Sequence, residues 1–417
     1  MRPWYKNLDW VSLLLWAVLV GVGLTAIYSA THGPAREFLL ESVQQNFNRQ
    51  AQWFGISVVV LLIILALPAR FIVKMAPVAY VFCIGLLVAA LAFGREVNGA
   101  KSWLYIGPVG LQVAEIAKVG AVLAVTALLA RKEARRGSVP YLIGAIVLLL
   151  IPAVLVVMQN DTGTGLVFLS LIPIMMFWSG AVPLPWMALA GGAAVAVYLV
   201  IVNPLWAAIF VGLATAGMLV WTRSRGMAAL MLIGVGAIAI AAWFGLFRVL
   251  EPHQIDRLVA FDDPEAYRFG AGFHVIQAKA AIGSGGIFGK GFTEGTQTQL
   301  AYIPENSTDF IYCVIGEEFG FLGTMFVLCV FAFLLIRLAS LGVQAGFALP
   351  RLFIAGVTGI FLVHIIINVG MTIGLMPVIG IPLPFISYGG SALLANTAML
   401  AIALNLHARR DEFAVYG

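Results

Sequence analysis

Four carboxylates crowd one short stretch, YIPENSTDFIYCVIGEEFG at residues 302–320, in a chain that is only 10% charged. Asp309 lies where a polar segment gives way to an apolar run, with Glu305 before it and Glu317 and Glu318 about two turns further in. Ser307 and Thr308 are placed to cap a helix starting there, and Pro304 just precedes them. A carboxylate in such a first turn gains from the helix dipole. Partial desolvation would also raise its pKa toward that of a useful general base. Glu317 and Glu318 fall deeper, where ionisable groups are costly and tend to be paired or functional, but spacing does not name their partners.

Other polar groups interrupt the apolar background. Glu115 and Lys118 stand three apart on a helical segment, so they share a face and can neutralise each other. Asp161 and Arg49 sit at segment ends, where each alone reads as a solvated or snorkelling group. GSGGIFGKG at 283–291 invites comparison with a phosphate loop, but Ser284 occupies the first glycine position and Gly291 follows Lys290, so GxxxxGK[ST] is absent. A weaker expectation survives, in which exposed backbone N–H groups and Lys290 hold a diphosphate presented from a membrane. NVGMTIGLMPVIGIPLPFISYGGS at 368–391 carries Asn368, three prolines and the SYGGS residues Ser387, Gly389 and Gly390. Irregular backbone is excluded from lipid, so this segment is expected to line a cavity or lie buried in protein. His364, one turn before Asn368, faces the same wall or bonds a neighbouring helix.

The elements that position these groups follow from hydropathy. With 62% hydrophobic residues and a mean hydropathy of +1.00, the chain exceeds the apolar content of soluble domains and must lie mostly in lipid. At about 20 apolar residues per crossing, spans are expected at 8–30, 51–68, 77–94, 112–130, 140–158, 164–180, 184–202, 204–221, 228–248, 309–338, 352–374 and 391–407. The fold class is therefore an all-α polytopic membrane protein of about twelve transmembrane helices, forming a single domain over 1–417. Its largest loop spans 249–308 and is expected to be extracytoplasmic.

The net charge of +5 comes from residues spread between hydrophobic segments, which argues for membrane topology and against nucleic acid. Arg2, Lys6, Arg70, Lys74, the RKEARRG run at 131–137, Arg223, Arg225, Arg337, Arg351 and the terminal HARR share one side, the cytoplasm by the positive-inside rule. Both termini are then expected inside. Cys83, Cys313 and Cys329 all fall in hydrophobic segments and read as packing residues. Within the long loop, GFHVIQAKAAIG at 272–283 reads as an amphipathic helix lying on the outer leaflet through Phe273, Ile276 and Ala280.

Ordered along the chain, these motifs resemble the SEDS family (shape, elongation, division, sporulation) of bacterial cell-wall proteins. The likeness is strongest from FDDPEAYRF through GEEFGFLG at 261–323 and over 368–391, and NRQ, NGAKSW, EIAK and QNDTGT extend it over most of the chain. GTQTQL and PENSTDF resemble the elongation branch rather than the division branch. The resemblance implies a glycosyltransferase of the cytoplasmic membrane with its site on the outer face, polymerising lipid II, the undecaprenyl-diphosphate-linked disaccharide pentapeptide. It implies Asp309 of TDF as the catalytic base, a divalent cation (Mg or Mn), and a class B penicillin-binding protein as partner. No nucleotide is required.

Lys279, Lys290 and Arg257 are expected to neutralise the leaving diphosphate, with Arg49, Asp161, Ser387, Gly389 and Gly390 near the substrate and Glu115, Lys118, Glu318 and Asn368 in support. Two departures stand out. Val113 and Ala114 precede Glu115 where the family has proline and serine, and Asn160 and Thr162 flank Asp161 where it has proline and leucine. Three spans between 181 and 248 replace one, so an inserted hairpin near 184–221 is expected; the sequence does not say what it does, and packing against a partner's single span is one guess. A lipid II flippase or a non-enzymatic scaffold are the competing readings, and clustering of the polar motifs on one side disfavours the flippase.

Overall fold

The computed structural model describes residues 4–416 apart from 34–40, 98, 108, 132–133, 135–137, 181, 250–260, 262–266, 268–270, 300–302 and 304. Among the described residues, twelve apolar helices follow one another in the expected order. They are α1 (Trp10–His32), α2 (Asn46–Ala66), α3 (Ala76–Phe93), α4 (Val113–Leu129), α5 (Val139–Met158), α6 (Thr162–Ser179), α7 (Leu184–Val202) and α8 (Pro204–Thr222). The ninth, α9, runs from Arg225–Ala229 through a π-turn at Leu230–Val235 into Gly236–Val249. The long loop then contributes α10 (Ala271–Ser284) and the single turn α11 (Thr296–Gln299), and the chain closes with α12 (Ile311–Gln344), α13 (Ala348–Thr372) and α14 (Gly390–Ala408).

Ten of the twelve are both long and apolar enough to cross a membrane. Of the other two, α4 has 17 residues and is about 26 Å long, close to a bilayer core in depth. Between α3 and α4 the chain forms a three-stranded antiparallel sheet, β1 (Arg95–Val97), β2 (Ala100–Ile106) and β3 (Val109–Gln112), in the order β1-β2-β3. Hydropathy alone gives no sign of it.

Helix composition explains helix placement. The central helices are α13 and α14, buried over 72% and 89% of their apolar windows, against 17% for peripheral α8. Lipid is as apolar as leucine, so a helix gains a central place through small residues and hydrogen bonds. α14 supplies both: Ala395, Ala401 and Ala403 are buried, Thr397 accepts from Trp16 Nε1 at 3.1 Å, and Asn405 donates to the carbonyls ending α2. Helices α7–α9 instead form their own apolar cluster, with Ala196, Val200, Val211, Met218 and Met231, and join the main bundle through α6 and α7.

One end of the bundle carries both termini. There Asp9 caps α1 and is ion-paired with Arg337 of α12 at 2.6 Å, and Asn7 reaches Ala408 O. Burial of the Asp9 carboxyl opposes its ionisation, but hydrogen bonds from Arg337 and Ser12 and the Arg337 charge outweigh this and hold it below the usual carboxylate value.

Candidate active site

At the opposite end, the Asp309 turn meets the irregular segment between α13 and α14. The helix expected to start at 309 with Ser307 or Thr308 as its cap begins instead at Ile311, with Phe310 as an N-cap that makes no side-chain bond. Residues 305–310 form turns, so Asp309 stands just outside the helix rather than in its first turn. The cause lies in competing partners: Ser307 O accepts from Tyr388 N at 2.8 Å, Thr308 O accepts from Ser387 Oγ at 2.6 Å, and Thr308 Oγ1 donates to Glu305 Oε2.

The Asp309 side chain is half-buried, and its position is fixed from behind. Fully buried Asn368 donates through one amide nitrogen to Asp309 O at 2.9 Å and to Ile381 O at 2.8 Å, so α13 holds the acidic turn and the 375–389 segment together. Gly380 adopts φ +80°, and a Cβ there would come within 3.3 Å of Asp309 Oδ2. Glycine therefore allows both the left-handed turn and the close approach of the carboxylate.

The remaining wall is built from the irregular segment itself with α2, the start of α14 and the cap of α6. Ser387 Oγ accepts from Leu383 N, while Gln50 of α2 donates to Ser387 O and accepts from Gly389 N. Asn46 donates to Ser307 Oγ. Gly390 lies directly on the Trp53 indole, where any side chain would collide. Exposed Arg49 bonds Gln45 and faces the Tyr388 hydroxyl; burial pushes the Tyr388 phenol above its usual value, and the Arg49 contact opposes that rise. Asp161 caps α6 by accepting from Thr164 N and Thr164 Oγ1, each at 3.0 Å, and from Gln112 Nε2 at 3.3 Å. The Gly163 turn beside it packs on Ile379 and Ile381.

A buried polar chain reinforces the same segment from the bundle interior. Lys118 donates to Glu115 Oε1 at 2.8 Å and to His364 Nε2 at 2.9 Å, and His364 Nδ1 donates to Pro382 O at 3.0 Å. A carbonyl can only accept, so Nδ1 carries the proton and Nε2 accepts from the ammonium. His364 thus bonds the neighbouring elements rather than lining the wall.

The glycine loop behaves differently from the phosphate-cradle expectation. α12 is broken at Gly320 (φ +67°, ψ −161°), which frees backbone groups on both sides. The loop supplies their partners: Lys290 N and Gly291 N donate to Glu317 O and Glu318 O, while Phe321 N and Leu322 N donate to Gly286 O and Ile287 O. Those N–H groups are committed to the kink, not presented to a ligand.

Lys290 is likewise engaged, paired with Glu317 Oε1 at 2.7 Å. Glu317 also accepts from Thr296 Oγ1, Gln297 N, Thr298 N and Thr298 Oγ1, so the N-terminus of α11 and one lysine enclose it. Glu318 Oε1 accepts from Ser29 of α1 at 2.5 Å and from Gln299 at 2.9 Å. These partners lie far away in sequence, which is why spacing did not name them.

α10 forms as expected: Val275, Ala278 and Ala281 are buried, Ala278 and Ala281 packing with Ile303, Phe310 and Cys313 at the head of α12, while Phe273 and Ile276 are half-buried and Ala280 exposed on the opposite face. Its Lys279 side chain is exposed and lies over Gly374 at the start of the irregular segment. Arg257 lies outside the described residues. No group of three or more His, Cys, Asp and Glu that could hold a metal ion occurs among the described residues.

A bundle of apolar helices, ten of them among the described residues long and apolar enough to cross a membrane, defines a multi-pass membrane protein, and its polar, irregular elements converge at one end around a half-buried aspartate. The chain belongs to the cell cycle protein family of FtsW, RodA and SpoVE, whose family model matches residues 9–203 and 184–412. The two matched stretches overlap on α7, at the head of the separate three-helix cluster.

Among curated proteins, the chain is 32% identical over 440 residues to the peptidoglycan glycosyltransferase RodA of Treponema pallidum, covering 97% of this chain and 98% of that one. It is 33% identical over 367 residues to the peptidoglycan glycosyltransferase MrdB of Escherichia coli K12, covering 87% and 85%. A solved structure described as showing structural coordination of polymerization and crosslinking by a peptidoglycan synthase complex aligns with a TM-score of 0.72 at 27% identity, over 97% of this chain and 98% of that chain. The Thermus thermophilus rod shape-determining protein RodA aligns with a TM-score of 0.63 at 26% identity, over 97% of both chains.

Proposed function

We propose that this chain is a peptidoglycan glycosyltransferase that polymerises lipid II into glycan strands at the outer face of the bacterial cytoplasmic membrane, with both termini in the cytoplasm. The observation that carries the reading is the convergence at one end of the bundle, opposite both termini, of the Asp309 turn, the 379–389 segment and the Asp161 cap.

Asp309 takes the proton from the acceptor GlcNAc 4-hydroxyl as that oxygen attacks the donor MurNAc C1. The new C1–O bond forms, the C1–O bond to phosphate breaks with inversion, and undecaprenyl diphosphate leaves with the electron pair. A half-buried carboxylate held by its backbone to two elements is preorganised for such a transfer. Leaving-group charge is met by cations at this end. Lys279 and Arg49 are exposed and suit that task, whereas Lys290 is tied to Glu317.

A divalent cation remains part of the proposal as a ligand of the substrate diphosphate, and no step here is routed through it. A flippase would need comparable polar surface at both ends. At the terminal end Asp9 and Arg337 neutralise each other, and Asn405 and Arg409 bond backbone carbonyls. The likeness to a peptidoglycan synthase complex supports a class B penicillin-binding protein as the crosslinking partner.

The test is incubation of purified protein with labelled lipid II, with and without that partner, followed by gel separation of the products. Glycan strands are expected from the native chain and none from Asp309→Asn at equal protein level and partner binding. Polymerisation retained by Asp309→Asn removes Asp309 from the mechanism.

A further inference from the structure

The loop that repairs the α12 kink carries two large apolar side chains that are mostly exposed. Ile287 is 61% exposed and Phe288 80% exposed, at the tip of a segment otherwise bound firmly by backbone hydrogen bonds to Glu317, Glu318, Phe321 and Leu322. Close approach reinforces that docking. A Cβ on Gly320 would lie 2.6 Å from Ile287 O, and one on Gly285 would overlap Gly316 O, so the backbones touch where only glycine fits. The tip is therefore presented outward by a fixed scaffold. Phe292, by contrast, rests on Tyr28 and Phe319.

Depth can be read from two independent helices. Arg337, paired with Asp9, marks one boundary of the apolar slab. Phe321 lies 16 residues before it on α12, about 24 Å at 1.5 Å per residue, inside the roughly 30 Å of a hydrocarbon core. Along α1, Ser29 lies 20 residues after Asp9, about 30 Å, and its hydroxyl meets Glu318. Glu318 therefore sits at the far boundary, and the strip hydrogen-bonded to Phe321 and Leu322 sits at or just below it. Phe321, Leu322 and Phe326 are themselves exposed on the outer surface of the spanning helix, so Ile287 and Phe288 extend a lipid-facing surface without a break.

We infer that the Ile287–Phe288 tip of the 283–291 loop is inserted among the acyl chains of the leaflet at the site-bearing end, anchoring the loop that holds Lys290 and α11 against Glu317. The polar remainder of the loop, with Lys290, Thr296 and Glu294, then lies on the aqueous side. The occupant is lipid, and the inference does not depend on which reaction the site performs.

Spin labelling tests this on the full chain in phosphatidylcholine and phosphatidylglycerol vesicles. Cys329 is exposed and is first replaced by serine, while Cys83 and Cys313 are buried and remain. Nitroxides are placed by Phe288→Cys and, as a second variant, Ile287→Cys, with Phe326→Cys as the lipid-facing reference and Glu294→Cys as the aqueous one. Collision with oxygen relative to a water-soluble nickel chelate is expected to be several-fold higher at 288 and 287 than at 294, approaching the value at 326. A nickel-dominated signal at 288 and 287 places the tip in water and overturns the inference. Poor access to both quenchers, the mark of a protein contact or a second copy, overturns it equally.

Discussion

Replacing Glu317 by glutamine tests whether the loop beside the site is held by one buried charge. The Glu317 carboxylate receives five hydrogen bonds: Oε1 from Lys290 Nζ, Thr296 Oγ1 and Gln297 N, and Oε2 from Thr298 N and Thr298 Oγ1. Glutamine keeps one acceptor. With its oxygen toward Lys290, its amide nitrogen faces the Thr298 N–H, donor against donor. At least one charge-assisted bond and one buried backbone N–H are then lost, at about 1.5–3 kcal/mol for the first and about 1–3 kcal/mol for the second. A local loss of roughly 3 kcal/mol corresponds to about 100-fold faster opening.

Lys290→Ala removes two bonds, to Glu317 Oε1 and Thr296 Oγ1, but from a side chain 26% exposed whose place water can take at both acceptors, so it should cost about 1 kcal/mol or less. Amide hydrogen exchange of residues 296–299 in detergent or nanodiscs reads both. Exchange in Glu317→Gln indistinguishable from native protein, or Lys290→Ala opening α11 as much as Glu317→Gln, refutes the reasoning.

Three further outcomes are expected. Asn368→Leu keeps the branched four-atom side-chain skeleton but deletes both donors that tie Asp309 to Ile381; glycan synthesis should fall roughly 10²-fold in kcat with little change in apparent lipid II affinity, and an unchanged kcat would deny Asn368 its positioning role. Gly320→Ala forces φ +67° on an L-residue and drives a Cβ into the Gly289 and Ile287 backbone; it should release the 283–291 loop to protease at sites the native protein shields, which limited proteolysis would reveal. Because Asp9 titrates below its usual value, the stabilisation it gives through Arg337 is complete above pH 3.8 and is lost as pH falls through the lowered value; unfolding temperatures followed down through that range should drop more for native protein than for Asp9→Asn, and parallel curves would contradict the assignment.

Composition and local pattern settled much of this protein. A span must be apolar for about 20 residues because lipid cannot satisfy a bare backbone, so hydropathy located all twelve apolar helices. The same rule marked 368–391 as a segment needing protein around it, and the Glu115–Lys118 spacing specifies a shared helix face whatever surrounds it. Helix ends were less legible. Asp309 fell outside α12 because Tyr388 and Ser387, some 80 residues away, took the carbonyls that a capped first turn would have used. The glycines of 283–291 looked like a ligand cradle, since glycine permits close backbone approach to any acceptor. Only the fold decided that the acceptors are Glu317 O and Glu318 O at a broken helix. Asn46, Gln50, Gln299 and Ser29 gave no local sign of their roles, because a polar residue in an apolar run states that a partner exists without stating where. Periodicity is a property of neighbours along the chain, whereas these partners lie 19 to 339 residues apart and are chosen by how the helices pack.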